Sequence, residues 1–381
     1  MRGTSARCQS QRMRTQTNGK ALEKRTEVIL FLGMYPLARL DSAAPVRIFH
    51  LYQSLKALTP TILIVGTRAE RRWKALKHII SGKLQKTRCV YVESSTGYAT
   101  ETELFLLLLC KLFRIPVAIY IRDAYQLFPD YSDRTPLKVR VLDWLWRRTI
   151  QVYKRVADVL LFPTEGLARQ FRFPNEHRLL PPAGFPSPLA ESLDVSRRAI
   201  LYVGAVSPPN GVDLLLEAMR LVVLKHPDAR CLIATNEKES RGLRAKWEDE
   251  PWVCFTRSSF DDLPEIMKGV YAAAIPRRRN LYNSFALPIK LFDYISFGKP
   301  VVVTDCEEQA RYVNELDCGL VVEDRVEHIA AGILRLLDDP DLARRLGANG
   351  YRAVQLRHSW RHRAEALLAA LDELSAQRSR R

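Results

Sequence analysis

The 381-residue chain has no apolar run long enough to cross a bilayer. Its longest, 104–113, covers about half of the roughly twenty residues that a spanning helix needs. Lys111, Arg114 and Pro116 interrupt it, so a buried helix leading into a buried strand at 115–121 is expected. Paired cysteines are lacking too. The seven, at 8, 89, 110, 231, 254, 306 and 318, are odd in number and scattered, with no CxxC and no Cys/His cluster of zinc spacing. Several lie in apolar segments, as Cys110 and Cys231 do, which fits reduced, buried thiols in a cytoplasmic protein. There is no G-x-S-x-G, H-E-x-x-H, G-x-x-x-x-G-K-S/T or full G-x-G-x-x-G motif, which argues against the matching hydrolase, metalloprotease, P-loop and dehydrogenase chemistries. Zinc-finger, RRM-like and helix-turn-helix signatures are also missing, and no nucleic-acid partner is expected.

Acidic side chains are scarce in one half only. The net charge of +17 arises from 59 Lys+Arg and 42 Asp+Glu; residues 1–190 hold 31 basic and 14 acidic side chains, and residues 191–381 hold 28 of each. The first twenty residues contribute five of the cations and no acid. They contain no hydrophobic segment, so they are no signal peptide, and 1–24 reads as a disordered tail. The remaining length, at 47% hydrophobic residues, suffices for two packed domains.

What the sequence does contain is a repeated alternation of short β-rich runs and helical patterns. Strands are expected at 28–32, 61–65, 88–92, 117–121 and 159–162, with helices at 46–56, 102–113 and 136–156. Thr164 is placed to cap a short helix over 165–171. The runs are apolar throughout, as suits parallel strands covered on both faces. Four prolines in the nine residues 180–188 then stop regular structure. A second unit follows, with strands at 200–203, 231–234, 271–275 and 301–304 and helices at about 212–224, 288–297 and 326–338. A helical tail spans 340–376. The expected architecture is therefore α/β, two doubly wound Rossmann-like domains at 25–182 and 199–356, a linker at 183–198 and a C-terminal helix with a basic tail at 357–381. Ligands should bind at the carboxyl ends of the strands.

Two segments carry the chemistry. In Tyr202–Asp213 a strand ends, Gly204 lets the backbone turn, and Gly211 opens a helix whose N-terminal amides could receive a phosphate. In 277–302 three arginines follow a strand, Pro288 suits a first helical turn, and Lys290 and Asp293 share one helical face. A cation there can bind a diphosphate, and an acid one turn on can accept two hydrogen bonds from vicinal ribose hydroxyls.

The second segment resembles the nucleotide-sugar signature of the family-4 retaining glycosyltransferases, whose two Rossmann domains face each other across a cleft in the GT-B fold. Pro288, Lys290, Asp293, Tyr294, Gly298, Pro300, Val301 and Val302 match P-x-K-x-x-E-Y-x-x-x-G-x-P-V-V, with Asp293 in place of Glu. The segment 202–218 is similar to the family's donor loop, and His358-Ser-Trp360 with its following helix resembles the family's final helix, which crosses back to the first domain. In the first half, Ala43–Phe49 resembles a G-G-x-x-x-R loop, and 119–125 occupies the place of a strand-end Arg-Asp motif. The family-like organisation covers about 25–378, with specific motifs confined to the second half.

The resemblance implies a hexosyltransferase-type enzyme that moves a sugar from a nucleotide-diphosphate sugar to a hydroxyl of a glycan or glycolipid, with retention and without a metal. Donor binding would fall to Gly204, Asn210, Gly211, Arg278, Asn283, Lys290, Leu291 and Asp293. Asp123 would orient the acceptor hydroxyl as the catalytic residue, with Arg47 and Arg122 on the acceptor side. Three positions depart from the family. Ala205 and Asn210 stand where Arg and Lys are usual, and Phe285 replaces the first acid of an E-x₇-E pair, leaving Asn283 as the nearest polar candidate. A catalytically degenerate partner subunit, or an epimerase or phosphorylase on the same fold, is the alternative. Asp261-Asp262 is read as a helix cap and no D-x-D metal signature is expected.

The cationic first domain would meet the acceptor. Trp144 and Trp146 lie among Lys138, Arg140, Arg147, Arg148, Lys154 and Arg155, and a second cluster joins Arg71, Arg72, Trp73, Lys74 and Lys77. Cations with interfacial aromatics suit anionic headgroups, so peripheral contact with the inner face of a membrane is a further expectation.

Overall fold

The computed structural model describes residues 27–379 except 39, 41, 129–136, 172, 174–175, 192–196 and 258–261. The tail expected over 1–24 lies outside the described residues. The first domain runs β1 (Val28–Gly33), α1 (Ala43–Leu58), β2 (Thr61–Ile64), α2 (Arg68–Ile80), β3 (Thr87–Glu93) and α3 (Glu101–Leu112). It continues with β4 (Val117–Tyr120), α4 (Leu137–Val156), β5 (Val159–Phe162), α5 (Glu165–Gln170) and β6 (His177–Leu179). The second begins with β7 (Ala199–Val203), α6 (Val212–Lys225), β8 (Arg230–Thr235), α7 (Glu237–Trp247), β9 (Val253–Arg257), α8 (Leu263–Lys268) and β10 (Ala272–Ile275). After these come α9 (Leu281–Phe285), α10 (Ile289–Ser296), β11 (Val301–Thr304), α11 (Glu307–Leu316), β12 (Gly319–Val322), α12 (Val326–Asp338), α13 (Pro340–Ala353) and α14 (Trp360–Ser379).

Each domain holds a six-stranded sheet, ordered β2-β1-β3-β4-β5-β6 and β12-β11-β10-β7-β8-β9, and the pairings are parallel. Two doubly wound domains facing across a cleft are thus present, the GT-B arrangement. The inner strands are buried on both faces, which is why their sequences are apolar throughout. β6, β9 and β12 were not expected from the sequence. They are edge strands, paired on one side and partly exposed, and so carry less apolar signal. α2 was not expected either, although Thr67 and Glu70 form a capping box at its start.

Several local expectations are corrected. Ala43–Phe49 is not a loop but the opening of α1, so Arg47 projects from a helix. The tail is broken by a π turn at Val354–His358 between α13 and α14. Asp262 precedes α8 without a capping bond from its side chain, and Asp261 lies outside the described residues. The helix at 104–113 is not wholly buried: Phe105, Leu108, Leu112 and Phe113 face solvent. Trp146 and Arg71 leave the proposed surface clusters. Trp146 is in the core beside Phe171, and Arg71 is buried in a 2.6 Å ion pair with Glu103.

The linker is held from both sides. Arg47 donates to the carbonyls of Leu180 and Pro181, and Arg363 of α14 donates to those of Pro181 and Pro182. Prolines lack N–H groups, so these carbonyls have no sheet to join, and buried guanidinium groups satisfy them instead. α14 then packs Trp360, Ala364, Leu367 and Leu371 into the core that Ile48 and Leu51 of α1 share. The second domain also reaches into the first, because Tyr282 and Phe285 of α9 belong to the first domain's other core.

Candidate active site

A cavity of about 530 Å³ opens between the carboxyl ends of the two sheets. From the second domain Gly204, Asn210, Lys290 and Asp293 line it, and from the first Arg47, Arg122 and Asp123. Seven candidate residues are therefore brought together. Four others, Gly211, Arg278, Asn283 and Leu291, lie outside its lining.

β7 ends at Val203, whose N–H donates to the hydroxyl of the buried Tyr294 at 2.8 Å, fixing where the chain turns. Gly204 follows at φ +123°, and a Cβ there would come within 3.0 Å of Lys290 Nζ. Glycine is thus favoured by the backbone angle, and a larger residue would also have to displace the lysine tip. Lys290 Nζ sits 4.1 Å from the centroid of the Tyr202 ring, whose hydroxyl donates to Ala205 O at 2.5 Å. Sequence reasoning gave Tyr202 no role. An aromatic just ahead of a glycine turn, with a lysine expected nearby, is the signal that could have found it.

Burial, with Arg277 adding to it and Asp293 opposing, holds the Lys290 ammonium down to about 7. Burial likewise pushes the Asp293 carboxyl up to about 7, against the pull of Lys290. Both charges are expensive here because the surrounding protein strips away much of their hydration, although both side chains keep some exposure to the cleft.

Arg277 is buried and donates to Ala286 O at 2.9 Å and to Asn283 Oδ1 at 2.5 Å. The Asn283 amide in turn donates to the carbonyls of Pro209 and Arg278 at 3.0 and 2.7 Å. Asn283 therefore braces Arg277 and the donor loop, and its side chain is spent on structure. Arg278 pairs with Asp213 at 2.5 Å, away from the cavity. Gly211, at φ +66°, lies where a Cβ would meet Pro276 O at 1.8 Å, and Leu291 is wholly buried on the inner face of α10.

On the opposite wall, Arg47 forms a 2.7 Å ion pair with the buried Glu93 and lies 3.9 Å over the Tyr120 ring. Together with its linker bonds, this gives each nitrogen of its guanidinium a protein acceptor. Asp123 behaves differently. Oδ1 accepts a 2.7 Å hydrogen bond from the Tyr282 hydroxyl, and Oδ2 lies 3.1 Å from Arg122 Nε. Among the described residues Asp123 Oδ2 and Arg122 Nη1 are buried and have no hydrogen-bond partner. Phe285, where the family pattern has an acid, lines the cavity, and its carbonyl accepts from Thr164 Oγ1 at 2.6 Å. No group of three or more metal-ligating side chains occurs among the described residues.

Residues 197–339 match the family model of the group 1 glycosyl transferases. The match lies within the second domain and ends at the close of α12. YtcC of Bacillus subtilis (strain 168), a glycosyltransferase by inference, is 24% identical over 189 residues, 45% of this chain and 44% of YtcC. The chain thus spans under half the length of that relative. A glycosyltransferase from Rickettsia africae superimposes with a TM-score of 0.67 at 14% identity, covering 92% of this chain and 98% of its own. The Anabaena protein HepE in complex with UDP-glucose gives a TM-score of 0.64 at 14% identity, covering 91% and 99%. These likenesses show the GT-B fold.

Proposed function

We propose that this GT-B chain, with its group 1 glycosyltransferase domain, moves a sugar from a nucleotide-diphosphate sugar to an acceptor hydroxyl on a glycan or lipid-linked acceptor. The observation that carries this reading is the convergence of Gly204, Lys290 and Asp293 with Arg122 and Asp123 on one cleft. The diphosphate lies by Gly204 and Lys290, and Asp293 accepts the ribose hydroxyls. As the anomeric bond breaks, negative charge grows on the leaving diphosphate, and Lys290, supported by Arg277, neutralises it in a low-dielectric site. This assigns to fixed cations the work that a metal does elsewhere, so no metal enters the reading. The likeness to HepE, solved with UDP-glucose, supports a uridine nucleotide as the first to test.

Asp123 orients the acceptor. Its Oδ1 is held by Tyr282 and its Oδ2 lies beside Arg122, so the carboxylate is fixed in the cleft wall where an incoming hydroxyl would meet it. Retention follows the family-4 resemblance, with the acceptor delivered on the leaving-group face. A cytoplasmic location is supported by the six cysteines among the described residues, all free thiols and five of them buried. No helix among the described residues is long and apolar enough to cross a membrane.

A thermal-shift panel of UDP, GDP, ADP and CMP tests the donor site. One diphosphate, at about a hundred times its Kd, should stabilise the protein by roughly 2.7 kcal/mol, and Lys290→Ala should abolish the shift. If none stabilises the wild type, the donor assignment fails. Incubation with UDP-sugars and no acceptor separates the alternative, because isomerised sugar nucleotide would mean an epimerase.

A further inference from the structure

We infer that the outer face of the α2–α3–α4 layer is a docking surface for an anionic lipid bilayer. α2, α3 and α4 follow β2, β3 and β4 in turn and pack side by side over one face of the first sheet. Their inward residues build the core that contains Leu106, Leu107 and Trp146. Their outward residues are not the polar set that a solvated layer carries. Along α3, Phe105, Leu108 and Leu112 recur at i, i+3 and i+7, and Leu112 and Phe113 are 72% and 63% exposed. Trp73 and Ile80 continue the apolar surface on α2, and Val141 and Trp144 on α4. A monomer in water seldom shows so many large apolar side chains on one face.

Cations frame this face. Lys77 of α2, Arg114 after α3, and Arg140, Arg147, Arg148 and Arg155 of α4 are all exposed. Arg148 lies 5.2 Å over the Trp144 ring, a pairing that suits the headgroup level, where the ring enters and the guanidinium stays wet. The exposed acids here are engaged: Glu101 pairs with Arg72 at 2.7 Å, and Glu70 accepts from Thr67 at the start of α2. An apolar centre with a basic rim is complementary to an anionic bilayer. A second copy of the chain, meeting this face about a two-fold axis, would oppose the same cations to one another. The helix N-termini of this layer lie at the edge where Arg122 and Asp123 stand, so a bilayer on it would run beside the mouth of the cleft without covering it.

This surface goes beyond the sugar-transfer reading, and its test needs no nucleotide, so either can fail alone. The full chain is sedimented with phosphatidylcholine vesicles, plain or with about 30% phosphatidylglycerol, near 0.1 M and near 0.5 M salt. Binding is expected to the anionic vesicles only and to weaken with salt. Phe105→Ser with Leu108→Ser and Leu112→Ser should lower it about tenfold or more, and Arg147→Glu with Arg148→Glu at least about fivefold for each charge lost. Leu224→Ser, at an exposed leucine of the second domain, should leave binding unchanged, and all variants should keep the wild-type melting temperature. The inference is overturned if the wild type ignores anionic vesicles or if both multiple variants bind as the wild type does. It is also overturned if sedimentation velocity finds a dimer that the α3 variant breaks, which would make the face a self-interface.

Discussion

Tyr282 of the second domain donates its hydroxyl to Asp123 of the first, 2.7 Å away and 159 residues earlier in sequence. The ring stacks on Tyr125 with centroids 4.6 Å apart, and Tyr282 and Phe285 of α9 are lodged in the first domain's core. Under the proposed reaction, the residue assigned to orient the acceptor is therefore positioned by the domain assigned to the donor. Any shift of one domain against the other changes what Asp123 can reach.

Tyr282→Phe keeps the ring and removes the hydroxyl, with the bond it donates to Asp123 and its contact with Tyr125. A hydrogen bond to a charged group is worth about 1.5–3 kcal/mol, so the variant should unfold at lower urea by that order. Under the proposed reaction kcat should also fall, while UDP affinity stays near the wild type. Chemical denaturation and steady-state kinetics read the two effects, and an unchanged kcat would sever Tyr282 from the positioning of Asp123.

Thr164→Val tests the same domain junction elsewhere. Thr164 Oγ1 donates to Phe285 O and accepts from Leu167 N at 3.1 Å as the cap of α5. Losing both bonds in an isosteric change should cost about 1–3 kcal/mol, measured by thermal unfolding. A variant as stable as the wild type would show that the junction does not depend on this hydroxyl.

Gly211→Ala should be more damaging than an ordinary glycine change in a loop. At φ +66° the new methyl would meet the Pro276 carbonyl, which is backbone at the end of β10 and cannot swing away. A loss of roughly 3 kcal/mol or more is expected, with the donor loop displaced. Gly82→Ala, where nothing lies within 4 Å of the added Cβ and φ is +67°, isolates the cost of the backbone angle alone.

The two groups held near 7 give a signed pH dependence. Between its ordinary carboxyl range and about 7, Asp293 keeps a proton in the folded chain that it has lost in the unfolded one, so its contribution to stability falls as pH rises. Between about 7 and its ordinary ammonium range, Lys290 is deprotonated when folded and protonated when unfolded, so stability rises with pH. Their joint contribution is least near neutrality. Urea unfolding from about pH 5 to about pH 9 should show Asp293→Asn flattening the acidic limb and Lys290→Met the alkaline one. Identical pH profiles for Lys290→Met and the wild type above pH 7 would show that Lys290 is not held down.

The sequence by itself determined the alternation of strand and helix, the proline-rich break, and the spacing that puts Lys290 and Asp293 on one face of α10. These are local properties: apolar runs, fixed φ at proline, and helical period act within a few residues. It also marked Gly204 and Gly211, whose positive φ angles the structure displays. What tertiary structure alone decided is how each polar group spends its capacity. Asn283 and Arg47 were chosen for their chemistry, yet folding commits one to the carbonyls of Pro209 and Arg278 and the other to Glu93 and the linker. Asp123 has one buried oxygen that is ion-paired with Arg122 yet accepts no hydrogen bond, while the other accepts from Tyr282. α3 shows the same limit for apolar residues, because a helix apolar on most sides does not reveal which side its neighbours will cover. Burial and hydrogen-bond partnership are set by residues far away in sequence, and no local pattern encodes them.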